Sequence, residues 1–283
     1  MHDMAAAPAA GIPLSTSQFS CAGQRAANQD ATGYHLDERF GCFVVSDGVG
    51  GHAGGERAAR IAVDTALNTF TDAPSITADS VQRGVAQANA GILSQQRADA
   101  EYARMSATLV ALFIDRCSAL ARWAHVGDSR LYWFRRGVLA TCTEDHSLSQ
   151  RSREGAAAAL VGSSEASPAN GAQPLIQSNL LYRALGARAI VEPTISDAYP
   201  LADGDAFLLC TDGLWRLISP QVMERSLRLS ASAEEWLALL RRAAEAKADV
   251  EGADNYSALA VWVGAPQQVT LASAALPIAR QPT

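Results

Sequence analysis

The chain has 283 residues, 48% of them hydrophobic and 18% charged, with a formal net charge of −6. That supports a sizeable core in one large domain or two small ones, and the acidity argues against non-specific binding to nucleic acid or an anionic membrane surface. No apolar run reaches membrane-helix length, and the five cysteines, odd in number and without a C-x-x-C pair, point to reduced thiols in a cytoplasmic protein.

In chain order, residues 1–14 are rich in Ala and Pro and read as a disordered lead-in. Residues 17–46 read as two or three short strands. Asp47-Gly48 ends the apolar run Gly41–Ser46 and opens a glycine-rich loop, Val49–Glu56. That loop lacks the following Lys-Ser/Thr of a P-loop and the register of a dinucleotide fold. Residues 55–70 read as a helix with Ala59, Ala62, Val63, Ala66, Leu67 and Phe70 on one face. A second helix covers 79–97. Thr108–Asp115, Ala119–Val126, Arg130–Arg135 and Val138–Thr141 read as antiparallel strands, with a hairpin turn at Arg135–Gly137. Residues 149–178, with an alanine run and scattered Gly, Ser and Pro, read as an insertion or flap. Phe207–Thr211 reads as a buried strand. Ser219-Pro220 starts a helix, and Ser232–Glu235 matches a capping box. Tyr256–Val263 is the last strand, and residues 264–283, with three prolines and no acidic residue, read as a disordered tail.

Four aspartates stand beside apolar runs: Asp47, Asp128, Asp212 and Asp254. A carboxylate beside a buried strand is expensive unless it is paired or holds a cation. Oxygen ligands without a matching His or Cys set favour Mg²⁺ or Mn²⁺ over Zn²⁺. Each acid has a plainer reading. Arg25–Asp30 is equally a surface loop, Asp212-Gly213 and Asp254-Asn255 are common turns, and His125 reads as a satisfied core histidine. Thr143–Ser147 reads as a turn and cap.

Taken in order, the segments R-x-x-N-Q-D, D-G-V-G-G-H-A-G-G-E, H-V-G-D-S-R, D-H-S-L, A-L-G, L-L-C-T-D-G-L and D-N-Y-S resemble the metal-dependent protein phosphatases of the 2C type, especially compact bacterial members. The resemblance covers about residues 17–263, and it implies a catalytic domain over 15–263. It implies an α+β fold, a four-layer αββα sandwich of two antiparallel sheets flanked by helix pairs. It also implies hydrolysis of phosphoserine and phosphothreonine in proteins by a metal-bridging hydroxide, without a phosphoenzyme.

Transferred to this chain, the resemblance gives Asp47 and the Gly48 carbonyl to the metals, with Asp212 and Asp254 completing the second site. Asp128 joins Asp212 at a third site. Asp30 holds metal-bound water, and Arg25 binds the substrate phosphate. Two to three Mn²⁺ or Mg²⁺ ions are expected. The expected partners are phosphoproteins and a cognate Ser/Thr kinase, with no nucleic acid and no membrane, the chain acting as a monomer. Some relatives of this length control type VI secretion. Val49 stands where eukaryotic relatives carry a histidine proposed as general acid, and His52 is the nearby candidate for acid or a supporting role. Met105–Thr108 departs from the family's Met-Gly-Thr-Thr, which implies altered packing. Two other readings compete: a non-catalytic phosphoprotein binder, and a hydrolase of small phosphoesters or nucleic acid.

Overall fold

The computed structural model describes residues 11–49, 52–147, 181–251 and 253–264. The flap expected over 149–178 and the tail expected over 264–283 lie outside them, apart from residue 264. The lead-in expected over 1–14 falls outside the described residues up to residue 10, while residues 12–14 take part in the fold. Ile12 N–H bonds the Arg116 carbonyl at 2.9 Å, and Leu14 opens the first strand.

One antiparallel sheet contains β1 (Leu14–Cys21), β12 (Tyr256–Val263), β11 (Ala206–Cys210), β7 (Arg130–Arg135) and β8 (Val138–Cys142), in that spatial order. The second orders β10 (Tyr199–Pro200), β6 (Leu120–Val126), β5 (Leu109–Asp115), β3 (Phe40–Val49) and β2 (Asp30–Leu36). Two short strands extend it: β4 (Ser106–Ala107) pairs with β3, and β9 (Thr194–Ile195) with β6.

The inner faces form the central core. Phe43, Val45, Val110, Leu112, Leu131, Phe207, Leu209, Leu259 and Val261 meet there. The outer faces are also apolar, because each sheet is covered. Helices α1 (His52–Asp72) and α2 (Ala78–Ala98) lie on the second sheet, over Cys42, Val44, Leu109, Ala111 and Phe113. Helices α3 (Asp212–Leu217), α4 (Pro220–Arg228) and α5 (Ala233–Glu251) cover the first, over Phe134, Leu208, Cys210, Ala258 and Ala260. Strands buried on both faces therefore read as continuous apolar runs. The expected sandwich is present; among the described residues three helices rather than a pair cover one side.

Local signals account for the ends. Ser219 precedes Pro220 at the first turn of α4. The Ser232 hydroxyl accepts from Glu235 N–H at 3.1 Å, while the Glu235 carboxylate accepts from Ala231 N–H at 2.8 Å. That is a capping box displaced by one residue. The β7–β8 turn places Arg136 and Gly137 at φ 53° and 73°, the hand that matches the strand twist.

The glycine-rich segment is not a free loop. Strand β3 runs through Asp47 and Gly48 to Val49, and α1 begins at His52. A Cβ on Gly48 would overlap the Gly55 carbonyl in the first turns of that helix. Asp212-Gly213 opens helix α3 rather than a simple turn, and a Cβ on Gly213 would overlap the Asn255 carbonyl. We expect Gly213→Ala to cost about 1–3 kcal/mol, seen as a lower melting midpoint with unchanged far-UV circular dichroism below it. An unchanged midpoint would contradict this packing.

Candidate metal centre

The two sheets deliver acids to one end of the sandwich. Asp30 opens β2 and stands directly across the ladder from Asp47 on β3. Directly opposed residues share a face, about 5 Å apart at Cβ, where like charges repel. Asp128 follows β6, Asp212 follows β11, and Asp254 precedes β12.

Thr211 joins the sheets. Residues of its type before a helix normally cap it, but here the side chain makes no capping bond. Its hydroxyl instead donates to Asp30 Oδ2 at 2.9 Å and accepts from Ser257 N–H at 3.0 Å. Asp30 Oδ1 is buried and has no hydrogen-bond partner among the described residues.

Thr108 holds the other side. Its hydroxyl accepts from Asp47 N–H at 2.9 Å and lies 2.6 Å from the Ser129 hydroxyl. Thus the end of β3 is fixed to the Asp128-Ser129 turn. Ala107 pairs with Gly48 across β4. Asn255 closes the loop that carries Arg25. Its Oδ1 accepts from Gln29 N–H, and its Nδ2 donates to the carbonyls of Ala22 and Ala27.

The electrostatics follow from this crowding. Burial pushes the Asp47 carboxyl well above the usual carboxylate range, and Asp30, Asp212, Asp128 and Asp254 push it further. Asp30 rises to about 7, mainly through burial, with Asp212 and Asp254 adding to it. Asp128 also rises to about 7, through burial and then Asp212. Burial raises Asp212 against the opposing pull of Arg216. Asp30 and Asp128 are only 8% and 6% exposed.

Two arginines lean on this cluster. Arg25 reaches Asp254 Oδ2 at 2.8 Å, and Arg216 reaches Asp212 Oδ2 at 2.8 Å. Among the described residues, no cation pairs with Asp47, and no three His, Cys, Asp or Glu side chains already surround a single point as metal ligands would. The acids share a neighbourhood without forming a closed cage. The donor set still suits a hard divalent cation. All donors are oxygens; among the described residues one buried carboxylate oxygen is unpartnered, and two carboxylates face each other with no cation between them.

The histidines support the frame. His125 Nε2 bonds the Glu144 carbonyl at 2.7 Å, while its Nδ1 has no partner among the described residues. The core reading therefore holds for one ring nitrogen. His146 stacks on His125 at 4.5 Å. Its Nδ1 accepts from Gly127 N–H, and its backbone N–H bonds the Gly127 carbonyl. The segment expected as a turn and cap thus braces the residue before Asp128. Burial drives His146 down to about 3, so it is neutral. His52 opens α1, and its side chain lies outside the described residues. Thr108, Thr211, Asn255 and His146 receive no site role from the sequence, although the last three lie within segments that carry the resemblance. A polar side chain buried among apolar neighbours must find a partner, and that is the signal the sequence offers for them.

The family model for protein phosphatase 2C matches residues 18–255. The chain belongs to the protein phosphatase 2C family. Among its relatives, serine/threonine phosphatase Stp of Listeria monocytogenes is 29% identical over 216 residues, covering 71% of this chain and 81% of Stp. Serine/threonine protein phosphatase PstP of Mycobacterium tuberculosis is 31% identical over 212 residues, 74% of this chain and 38% of that protein. A structure of the PstP catalytic domain in complex with two manganese ions superposes with a TM-score of 0.71, at 25% identity over 89% of this chain and 98% of that one. The structure of PppA, a key regulatory component of type VI secretion in Pseudomonas aeruginosa, gives 0.69 at 26% identity, covering 89% and 99%. Within this 2C-type fold the acidic end of the sandwich is the candidate metal centre.

Proposed function

We propose that the acidic end of this 2C-type sandwich removes phosphate from phosphoserine and phosphothreonine in proteins, using Mn²⁺ or Mg²⁺. The reaction class is that of the family. The assignment of roles to Asp47, Gly48, Asp212, Asp254, Asp128, Asp30 and Arg25 is our reading. The observation that supports it is Asp47 facing Asp30 within one sheet, with Asp212 and Asp254 brought beside them by the other.

Asp47, Asp212, Asp254 and the Gly48 carbonyl would hold the cations. Bound divalent ions lower the pKa of water and offset phosphoryl charge. Asp30 orients the attacking water. Its Oδ2 is fixed by Thr211, and its unpartnered Oδ1 can hold a proton near neutral pH. Arg25, with a side chain 63% exposed, exchanges its contact with Asp254 for the substrate phosphate. No covalent nucleophile is needed. Cys42 and Cys210 are buried in strands, and burial pushes both thiols up, away from the reactive thiolate.

Phosphate release from a phosphothreonine peptide tests the reading. Turnover should require Mn²⁺, stop with EDTA, and be lost in Asp212→Asn. Release that survives EDTA would overturn it. Binding of phosphopeptide without turnover by a folded, Mn²⁺-loaded protein would favour a binding module instead. Arg25→Ala should raise KM by about tenfold with kcat little changed, since the contact serves ground and transition states alike. A fall in kcat alone would contradict that role. The reading extends to the cell as dephosphorylation of the targets of a bacterial Ser/Thr kinase, by a monomer in the cytoplasm. No helix among the described residues is long and apolar enough to cross a membrane.

A further inference from the structure

We infer that the cleft beside the metal centre takes an Asp or Glu side chain of the phosphoprotein substrate, and that Arg183 is the residue that reads it. The inference rests on the phosphatase reading above and names a class of substrate for it. The segment Tyr182–Leu185 runs along the centre. Tyr182 N–H bonds the His146 carbonyl at 3.0 Å, and the His146 ring braces the residue before Asp128. Leu185 pairs with Ala107, which pairs in turn with Gly48. Neighbouring strands stand about 4.8 Å apart, so Leu185 is about 10 Å from Gly48. Arg183 lies between these two anchors.

Arg183 is half-buried and lines a cleft of about 330 Å³ with Trp123, Tyr199, Thr194 and His146. Trp123 and Tyr199 stack at 5.0 Å and form an aromatic wall. The hydrogen bonds leave one corner with donors only. His146 Nδ1 accepts from Gly127 N–H, so in this neutral ring the proton is on Nε2. Nε2–H donates to Thr194 Oγ1 at 2.9 Å, and the Thr194 hydroxyl can give its own proton to a third group. Arg183 Nη1 lies 3.5 Å from the same Nε2. Both nitrogens are donors, so no bond joins them. Among the described residues Arg183 pairs with no carboxylate, and its other contact is the Tyr182 ring, 5.5 Å away at its centroid. A half-buried guanidinium without an acceptor is costly. A carboxylate placed between Arg183 and the Thr194 hydroxyl satisfies both. Of the acids in the lining, Asp145 is held by Arg130 through two bonds, and Glu144 is exposed, where solvent screens its charge. A second cleft of about 320 Å³ adjoins the first at Tyr182 and Arg183. Two clefts that share a wall suit an extended peptide better than a small molecule.

Steady-state kinetics of the full chain loaded with Mn²⁺ tests this, using phosphothreonine peptides that differ at one position. Glu, Gln or Lys is placed in turn about two to four residues to either side of the phosphothreonine, since an extended chain covers about 10 Å in three residues. At one of these positions Glu should give a kcat/KM about tenfold above Gln, the scale of a charge-assisted bond, with Lys below Gln. Arg183→Gln should bring that Glu-to-Gln ratio to about one. Arg183→Lys, which keeps the charge, should retain a preference for Glu, and Arg183→Glu should reverse it in favour of Lys. The ratio compares peptides on one protein, so a general loss of activity in a variant leaves it readable. Equal kcat/KM for Glu, Gln and Lys at every position on wild type would overturn the inference and leave the phosphatase reading intact. So would a preference for Glu that Arg183→Gln retains. No release from any phosphopeptide would overturn the phosphatase reading itself, and this inference with it.

Discussion

Asp47→Asn should abolish turnover and at the same time make the metal-free protein more stable. Asp47 faces Asp30 across the β2–β3 ladder, and its carboxyl is raised by burial and by four other acids. Among the described residues it has no cationic partner. Without metal, ionising this raised carboxyl therefore opposes folding. Asparagine has nearly the same shape and removes that charge. Relief of the opposed pair alone contributes up to about 1 kcal/mol, and relief of burial adds to it. Catalysis moves the other way. Loss of a central ligand should lower kcat/KM at least ~1,000-fold, equivalent to roughly 4 kcal/mol of barrier. The pair of measurements is a phosphopeptide assay with Mn²⁺ and a denaturant melt in EDTA at pH 8. A variant that loses stability along with activity would show that Asp47 merely supports the fold.

The second large effect is a pH dependence that metal reverses. Asp30 and Asp128 titrate near 7 in the folded protein and near 4 in an unfolded chain. Between those values the metal-free folded state binds more protons than the unfolded state. By linkage, stability from these two groups is present below about pH 4, falls as pH rises, and is lost above about pH 7. The loss is a few kcal/mol per group, because each tenfold gain in proton affinity on folding corresponds to about 1.4 kcal/mol. His125 and His146 act in the opposite sense. Burial lowers both, so their contribution falls as pH drops below about 6.5. Comparing wild type with Asp30→Asn/Asp128→Asn cancels the histidine contribution. In EDTA, wild type should lose stability relative to the double variant from pH 5 to pH 8. Mn²⁺ should raise the wild-type melting midpoint strongly at pH 8 and little at pH 5, since ligands must be ionised to bind. A relative stability that rises with pH would contradict the buried-acid assignment.

Much of this was legible in the chain, for physical reasons. Helices α1 and α2 show an apolar stripe at helical spacing, and Ser232 and Glu235 sit where a capping box requires them. The short strands from β5 to β8 are bounded by turn residues. Pairing of distant strands has no local signal. Leu14 lies opposite Val263, and nothing near either residue says so. Strands such as β11 and β12, buried on both faces, lack the alternation that would tell inside from outside. Gly54 and Gly55 hide the true start of α1. Glycine disfavours helix, yet close packing against Gly48 admits no Cβ on that strand residue. The acids stood out because a carboxylate beside an apolar run is anomalous. The residues that position them did not. Thr108, Thr211 and Asn255 are ordinary polar residues until the fold sets their partners, and Arg216 was one more charge on a short helix.

The most direct measurement is anomalous diffraction at the manganese edge from crystals of the full chain grown with Mn²⁺. We expect peaks ringed by carboxylate oxygens of Asp47, Asp212 and Asp254 with the Gly48 carbonyl, once Asp212 and Asp254 turn toward the ions. Manganese bound elsewhere, or absent while those carboxylates stay on Arg25 and Arg216 at saturating Mn²⁺, would contradict the metal centre and the chemistry assigned to it.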